Sequence, residues 1–318
     1  MSIIKRILVT GGCGFIGANL VRFVRARTDW DIRVVDDLRS GREEYLEEEP
    51  VDVMIGDIAD RAILDQALQG VDAVIHLAAQ TGVIPSIDDP TRDFKGNAEA
   101  TFRALDYCRG RGIGRFLFAS SGAALGDVEP PLHEDVVARP MSPYGAAKLA
   151  GEAYCSAFAA AYGIHTVSLR FSNVYGPWSS HKNNAIPNFI KATFLGQPLK
   201  IFGDGSQSRD FIYVDDLCEA IFLAVTADDV KGEVFQVATG VETTVLELTE
   251  AVQGAVGTST EVEFLERRPG EVYKSRVDIS KARAQLGFRP RVGLDEGLRL
   301  TADWYRDNWL RSNIASDS

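Results

Sequence analysis

Leu8-Val9-Thr10-Gly11-Gly12-Cys13-Gly14-Phe15-Ile16-Gly17 joins an apolar run to three spaced glycines and the start of a helical pattern. A strand that ends in GxxGxxG and runs into a helix is the arrangement that cradles a dinucleotide pyrophosphate. Gly11 permits the tight turn, Gly14 lets backbone approach the phosphates, and Gly17 lets helix and strand pack closely. The helix that follows aims its N-terminal N–H groups and the positive end of its dipole at the ligand.

Outward from this stretch, short apolar runs alternate with helical patterns. Strands are predicted at residues 6–10, 32–35, 51–55, 73–77, 115–119 and 166–170, and helices at 15–27, 61–69, 90–109 and 143–162. All-apolar strands separated by helices imply a parallel sheet covered on both faces. With right-handed crossovers the fold class is α/β, a doubly wound Rossmann sheet. Beyond residue 170, Pro177, Pro187, Pro198, Gly203 and Gly205 break the pattern into short segments, which suggests a smaller substrate-binding lobe. The expected division is a dinucleotide-binding domain at 1–172 and a substrate domain at 173–318. A helix at 214–225 and a strand at 232–238 would return to the main sheet.

The chain has 318 residues, 45% hydrophobic and 25% charged, with a net charge of -11. That size and composition suit a soluble globular protein, and the negative charge argues against nucleic acid or an acidic membrane as partner. Cys13, Cys108, Cys155 and Cys218 lack metal spacing, so no metal site is expected and the thiols read as reduced, in the cytoplasm. The first five residues lead straight into a strand, with no signal-peptide pattern, and no apolar run reaches membrane length. The acidic run from Glu43 to Glu49 reads as a solvated helix face.

Asp36 closes the second strand about twenty residues after the glycines, where a carboxylate accepts from ribose hydroxyls and repels a ribose phosphate. This favours NAD over NADP, with Arg39 nearby as the opposing charge. Asp57-Ile58 would suit either an adenine contact or a helix N-cap. Far downstream, Tyr144 and Lys148 stand at i and i+4, which puts phenol and ammonium on one helix face. A cation there, together with the charge of an oxidised nicotinamide, would pull the phenol towards neutrality and make it a base for a substrate hydroxyl. The pair follows a strand that ends in Ser120-Ser121.

With these residues in order, the chain resembles the extended short-chain dehydrogenases/reductases, and within them the sugar-nucleotide epimerase/dehydratase family. The resemblance runs from about residue 7 to 305. It rests on TGGCGFIG (10–17), Val35-Asp36-Asp37, Gly56-Asp57-Ile58, His76-Leu77-Ala78-Ala79, Asn97, Ser120-Ser121, YGAAK (144–148) and RFSNVYGP (170–177). It continues through Asn183-Asn184-Ala185-Ile186-Pro187, GDGSQSRD (203–210) and Arg268-Pro269-Gly270-Glu271. What it implies is a UDP-sugar 4-epimerase with tightly held NAD. In that reading Ser121 hydrogen-bonds the reacting hydroxyl, Tyr144 takes its proton, and Lys148 holds the nicotinamide ribose. Phe15, Ile16, Leu77, Ala78, Ala79 and Asn97 would line the cofactor. Asn173 and Asn184 would hold the sugar diphosphate, Lys200 to Phe202 the uracil, Arg209 and Arg268 the phosphates, and Glu271 the uridine ribose. A homodimer through the helices at 90–109 and 143–162 is likewise implied.

Two departures from the family narrow the chemistry. The 4,6-dehydratases carry Asp-Glu directly after the position of Ser121, and UDP-glucuronate decarboxylases carry Glu at the second of these positions. Here Gly122 and Ala123 stand there and cannot transfer protons. Leu125 replaces the usual Tyr before Gly126, a packing change. Ser275, where glucose/galactose-restricted epimerases place Tyr, would leave room for a bulkier sugar; the alternative is that it only packs against backbone. His181 and Lys182 could face a C6 carboxylate, which keeps UDP-glucuronate open as substrate. A dehydrogenase or reductase with exchangeable cofactor, or a silent NAD-binding protein, are the remaining alternatives. His76 reads as structural, and His133 and His165 as surface or cap residues.

Overall fold

The computed structural model describes residues 4–267 and 274–311. Seven strands form the main sheet: β1 (Arg6–Thr10), β2 (Asp31–Asp36), β3 (Asp52–Ile55), β4 (Ala73–His76), β5 (Arg115–Ser121), β6 (His165–Phe171) and, from the later part of the chain, Glu233–Val237. Every pairing in it is parallel. Helices α1 (Phe15–Arg25), α2 (Arg61–Ala67), α3 (Val83–Asp88), α4 (Pro90–Phe94), α5 (Ala100–Arg111) and α6 (Pro143–Tyr162) lie between the strands. The apolar runs are explained by a two-faced core. Ile7 and Val9 of β1 point into one cluster with Ala18, Val21 and Leu217, while Leu8 points into another with Val74, Leu105 and Phe116. Successive strand residues face opposite sides, so a strand covered on both faces carries no polar alternation.

The remaining elements follow in chain order. They are β7 (Asn173–Tyr175), α7 (Ala185–Phe194), β8 (Leu199–Phe202), β9 (Ser208–Arg209), β10 (Phe211–Tyr213), α8 (Val214–Thr226), β11 (Glu233–Val237), β12 (Thr243–Thr244), α9 (Val245–Val256), β13 (Val262–Leu265), α10 (Ser280–Gln285) and α11 (Leu294–Trp304). Three two-stranded pairings, β7 with β10, β8 with β13 and β9 with β12, lie outside the main sheet. Between β10 and β12 the chain returns to the main sheet, where β11 pairs with β6.

The sheet order is β11-β6-β5-β4-β1-β2-β3. Chain direction reverses between β1 and β4, the switch point at which ligands bind beyond the carboxyl ends of the strands. The glycine loop after β1 sits there.

Two elements differ from the sequence reading. The helix expected over 90–109 is interrupted by a π-helical turn at Lys95–Glu99 and runs on to Arg111, where Gly112 at φ 69 ends it. Hydrophobic spacing cannot show such a turn, because one wide turn leaves the apolar face almost in place. The acidic run forms a short 3₁₀ turn, Glu43–Leu46, with Leu46 buried, and Glu49 pairs with Arg22 at 3.3 Å. Glu43, Glu44, Glu47 and Glu48 are exposed, as a solvated face requires, and only Glu49 turns inward to α1.

Candidate active site

The carboxyl ends of β1, β2, β4 and β5 border a cleft of about 1190 Å³. Gly11 turns at φ 71, and a Cβ there would lie 2.8 Å from the Ala78 nitrogen. A Cβ on Gly17 would stand 2.4 Å from the Gly11 oxygen. The loop is thus tight enough to need both glycines, and it leaves the start of α1 facing the cleft. All the cofactor residues named from sequence line this cleft except Asn97. Asn97, expected to touch the cofactor, is buried in the π-helical turn and buttresses the cleft wall. Its amide donates to the Gln80 oxygen at 3.0 Å and to Asp93 at 2.7 Å, and its oxygen accepts from the Gln80 nitrogen at 2.9 Å.

Asp36 is buried, and its carboxylate accepts from the Cys13 and Leu38 nitrogens at 3.0 and 2.9 Å. It therefore ties the glycine loop to the end of β2 as well as facing the cleft. Arg39 is held by Asp37 at 3.1 Å and Asp57 at 3.0 Å, so two carboxylates already answer its charge. Asp57 is not the cap of α2: Asp60 fills that place, accepting from the Ala62 nitrogen at 2.7 Å. We expect Asp36→Asn, which keeps a hydrogen-bond acceptor and removes the charge, to raise relative affinity for NADP(H) roughly tenfold or more. Titrating wild type and variant with both dinucleotides checks this; an unchanged ratio would show that Asp36 does not read the ribose.

Ser142 caps α6 by accepting from the Gly145 nitrogen at 3.1 Å, and Pro143 starts the helix. This fixes Tyr144 in the first turn, its phenol hydrogen-bonded to Ser121. The Ser121 hydroxyl also accepts from the Ala123 nitrogen at 3.2 Å. Lys148 is buried, donates to the Ala119 oxygen at 2.8 Å, and lies 5.7 Å from the centre of the Tyr144 ring. Burial lowers Lys148 to about 8, against the upward pull of Asp93 and Glu152. Burial raises Tyr144 to about 12, offset in part by the Ser121 hydrogen bond. Among the protein's own groups burial is the larger influence; the sequence expectation of a pKa brought down towards neutrality also counts the charge of an oxidised nicotinamide.

Behind this pair, Glu152 receives both Nε and Nη2 of Arg170, at 2.8 and 2.7 Å, and the Ser120 hydroxyl. Sequence reasoning missed Asp93 and Glu152. Glu152 was within reach, one helical turn beyond Lys148, but nothing in the sequence shows that Arg170 of β6 meets it.

His76, at the end of β4, is buried with its ring between the Thr10 and Thr101 hydroxyls, at 2.8 and 3.2 Å. Burial and the Lys148 charge hold it down at about 3. The folded state keeps this imidazole neutral, while the unfolded chain protonates it below about pH 6.5. Stability is thus intact above pH 6.5 and falls as pH drops towards 3, by about 3 kcal/mol at pH 4. His76→Gln should flatten the decline in Tm between pH 6.5 and 4, and an unchanged decline would assign it to other groups.

The substrate residues named from sequence that fall within the described residues lie outside this cleft lining. Asn173 is on β7 and donates to the Asp210 oxygen at 3.2 Å; Asn184 stands at the N-cap of α7. Lys200 and Phe202 are on β8, paired to β13, and Arg209 is on β9. Ser275 is half-buried in coil. Arg268 and Glu271 lie outside the described residues. Leu125 is fully buried, consistent with a packing role. All four cysteines are free and buried. Among the described residues no group of side chains could hold a metal ion, and no helix is long and apolar enough to cross a membrane.

The NAD dependent epimerase/dehydratase family matches residues 7–238. The chain belongs to that family. It is 37% identical to a UDP-glucose 4-epimerase of Mycolicibacterium smegmatis over 95% of this chain and 99% of the relative. It is 34% identical to a dTDP-glucose 4,6-dehydratase of Streptomyces niveus, over 95% and 93%. Among solved structures, the UDP-glucose 4-epimerase of Thermotoga maritima, with UDP-glucose, superposes with a TM-score of 0.91 at 36% identity, over 96% of this chain and 100% of that one. The cofactor of this epimerase/dehydratase family is NAD, and the residues fit it: a glycine cradle that a Cβ would fill, and a carboxylate at the end of β2.

Proposed function

We propose that this chain is a UDP-sugar 4-epimerase acting on the glucose/galactose or N-acetylglucosamine series. One observation carries the reading. Ser121, Tyr144 and Lys148 form a complete proton-transfer group, while the residues directly after Ser121 are Gly122 and Ala123. The similar proteins include epimerases and a 4,6-dehydratase at comparable identity, so overall likeness does not separate the two activities. The side chains after Ser121 do, because eliminating water needs a further acid and base.

NAD held in the cleft would supply the reversible hydride acceptor that oxidation and re-reduction at C4 of the sugar need. The chain's own part is the proton. Tyr144 takes it from the 4-hydroxyl and gives it back, Ser121 orients that hydroxyl, and Lys148, anchored on Ala119, keeps a positive charge beside the phenol. Asn173, Asn184, Lys200, Phe202 and Arg209, with Arg268 and Glu271, would hold the nucleotide firmly while the sugar turns. Ser275 would leave space at the sugar's C2 substituent. UDP-glucuronate is the second reading, resting on His181 and Lys182, which border the same cleft as Tyr144. We place the enzyme in the cytoplasm, where four free thiols stay reduced. Its partner would be a second copy, docked through the exposed Phe94, Phe102, Tyr154 and Tyr162 of α4, α5 and α6.

Incubation with a panel of UDP-sugars without added NAD, following C4 by NMR, tests the reading. Interconversion of C4 epimers is expected. A 4-keto-6-deoxy product, or turnover that depends on added NAD, would overturn it.

A further inference from the structure

Residues 177–182 follow β7, yet they fold back onto the glycine-loop side of the molecule. Asn19 of α1 donates to the Pro177 oxygen at 3.1 Å, and the Arg22 guanidinium lies 4.0 Å from the centre of the Trp178 ring. Trp178 itself sits at φ 61, a conformation a bulky side chain adopts only when its surroundings hold it there. Ser179 donates to the Gly176 oxygen at 2.6 Å and meets the Tyr305 hydroxyl at 3.1 Å. Lys191 of α7 donates to the Ser180 oxygen at 3.1 Å, and the His181 ring lies 6.4 Å from that of Tyr45. The segment is thus pinned from α1, from the turn after β2 and from α7.

At its end, His181 and Lys182 line the same cleft as Gly11, Gly14, Ser40 and Gly41. Both ring nitrogens of His181 are buried with no hydrogen-bond partner among the described residues, so the ring packs as a wall behind Lys182. Burial, with Lys182, Arg42 and Lys191 nearby, holds His181 down at about 4, and burial alone lowers Lys182, with no carboxylate opposing it. Lys182 therefore stands in the cleft wall as a cation that an anion would complete.

We propose that His181 and Lys182 are an anion clasp for the diphosphate of the bound dinucleotide. Lys182 supplies the charge, from a segment that follows β7, in addition to the start of α1, and the buried His181 ring holds it in place. The dinucleotide is favoured over a sugar carboxylate because the clasp is tied to α1 and to the turn after β2, the two segments that border the dinucleotide end of the cleft. Its effect would be retention: a cofactor used and restored in each cycle gains nothing by leaving. The inference rests on the family's cofactor and on the cleft, and is independent of which sugar is turned over.

Lys182→Met and Lys182→Arg test it. The readouts are NAD(H) released per chain after purification, and the rate of NADH loss on dilution, followed by fluorescence. The methionine variant should lose the dinucleotide roughly ten- to a hundredfold faster, the worth of one charge-assisted contact, and arginine should largely restore retention. The ratio of kcat/KM for UDP-glucuronate over UDP-glucose should not move. Unchanged retention with a fall in that ratio would assign the clasp to a substrate carboxylate. Unchanged retention and an unchanged ratio would also overturn the proposal. Because release needs no turnover, the result stands apart from the fate of the 4-epimerase reading.

Discussion

Tyr144→Phe should lower turnover by about two to four orders of magnitude while leaving the fold and the dinucleotide content intact. The substitution removes only the hydroxyl, and the ring beside Lys148 remains. What is lost is the group that accepts and returns the proton. Burial holds that phenol at about 12, and an oxidised nicotinamide would, when bound, supply positive charge that favours its ionisation. Ser121→Ala should be milder, since it deletes an orienting hydrogen bond and no proton carrier. Steady-state kcat, with nucleotide release as the control, decides the matter; near-normal turnover in the phenylalanine variant would sink the mechanism.

Glu152→Ala should destabilise the protein by about 3–5 kcal/mol, the usual effect of leaving a buried charge without its partner. Arg170 and Glu152 side chains are only 5% and 4% exposed, and the pair is bidentate. Without Glu152 the guanidinium has no carboxylate to meet, and its Nη1 already lacks a partner among the described residues. Urea unfolding of the single variant and of Glu152→Leu/Arg170→Met separates the causes. The double variant should recover most of the loss, because two apolar side chains remove both charges at once. A loss below about 1 kcal/mol in Glu152→Ala would mean that water reaches the pair.

Much of this was legible in the chain because the rules involved are local. The apolar strand, the glycine spacing and the helix start are adjacent in sequence, so their geometry follows from sterics alone. Tyr144 and Lys148 could be paired from helical spacing, and Gly122-Ala123 could be read as lacking proton donors from residue type. The contacts that pack around Asn97 and Asp57 were not legible, because their partners, the Gln80 backbone for one and Arg39 for the other, are set by tertiary packing.

The sequence by itself determined the doubly wound class, the glycine loop that opens α1, the carboxylate at the end of β2 and the placing of Tyr144 and Lys148 on one helix face. All of these depend on contacts within a turn of helix or a few residues of strand. Only the tertiary structure decided that Arg170 answers Glu152, that burial raises Tyr144, and that residues 177–182 reach back to α1. Those outcomes depend on desolvation and on contacts between distant segments. A list of residues does not contain them, because what each charge costs depends on which other segments exclude water from it.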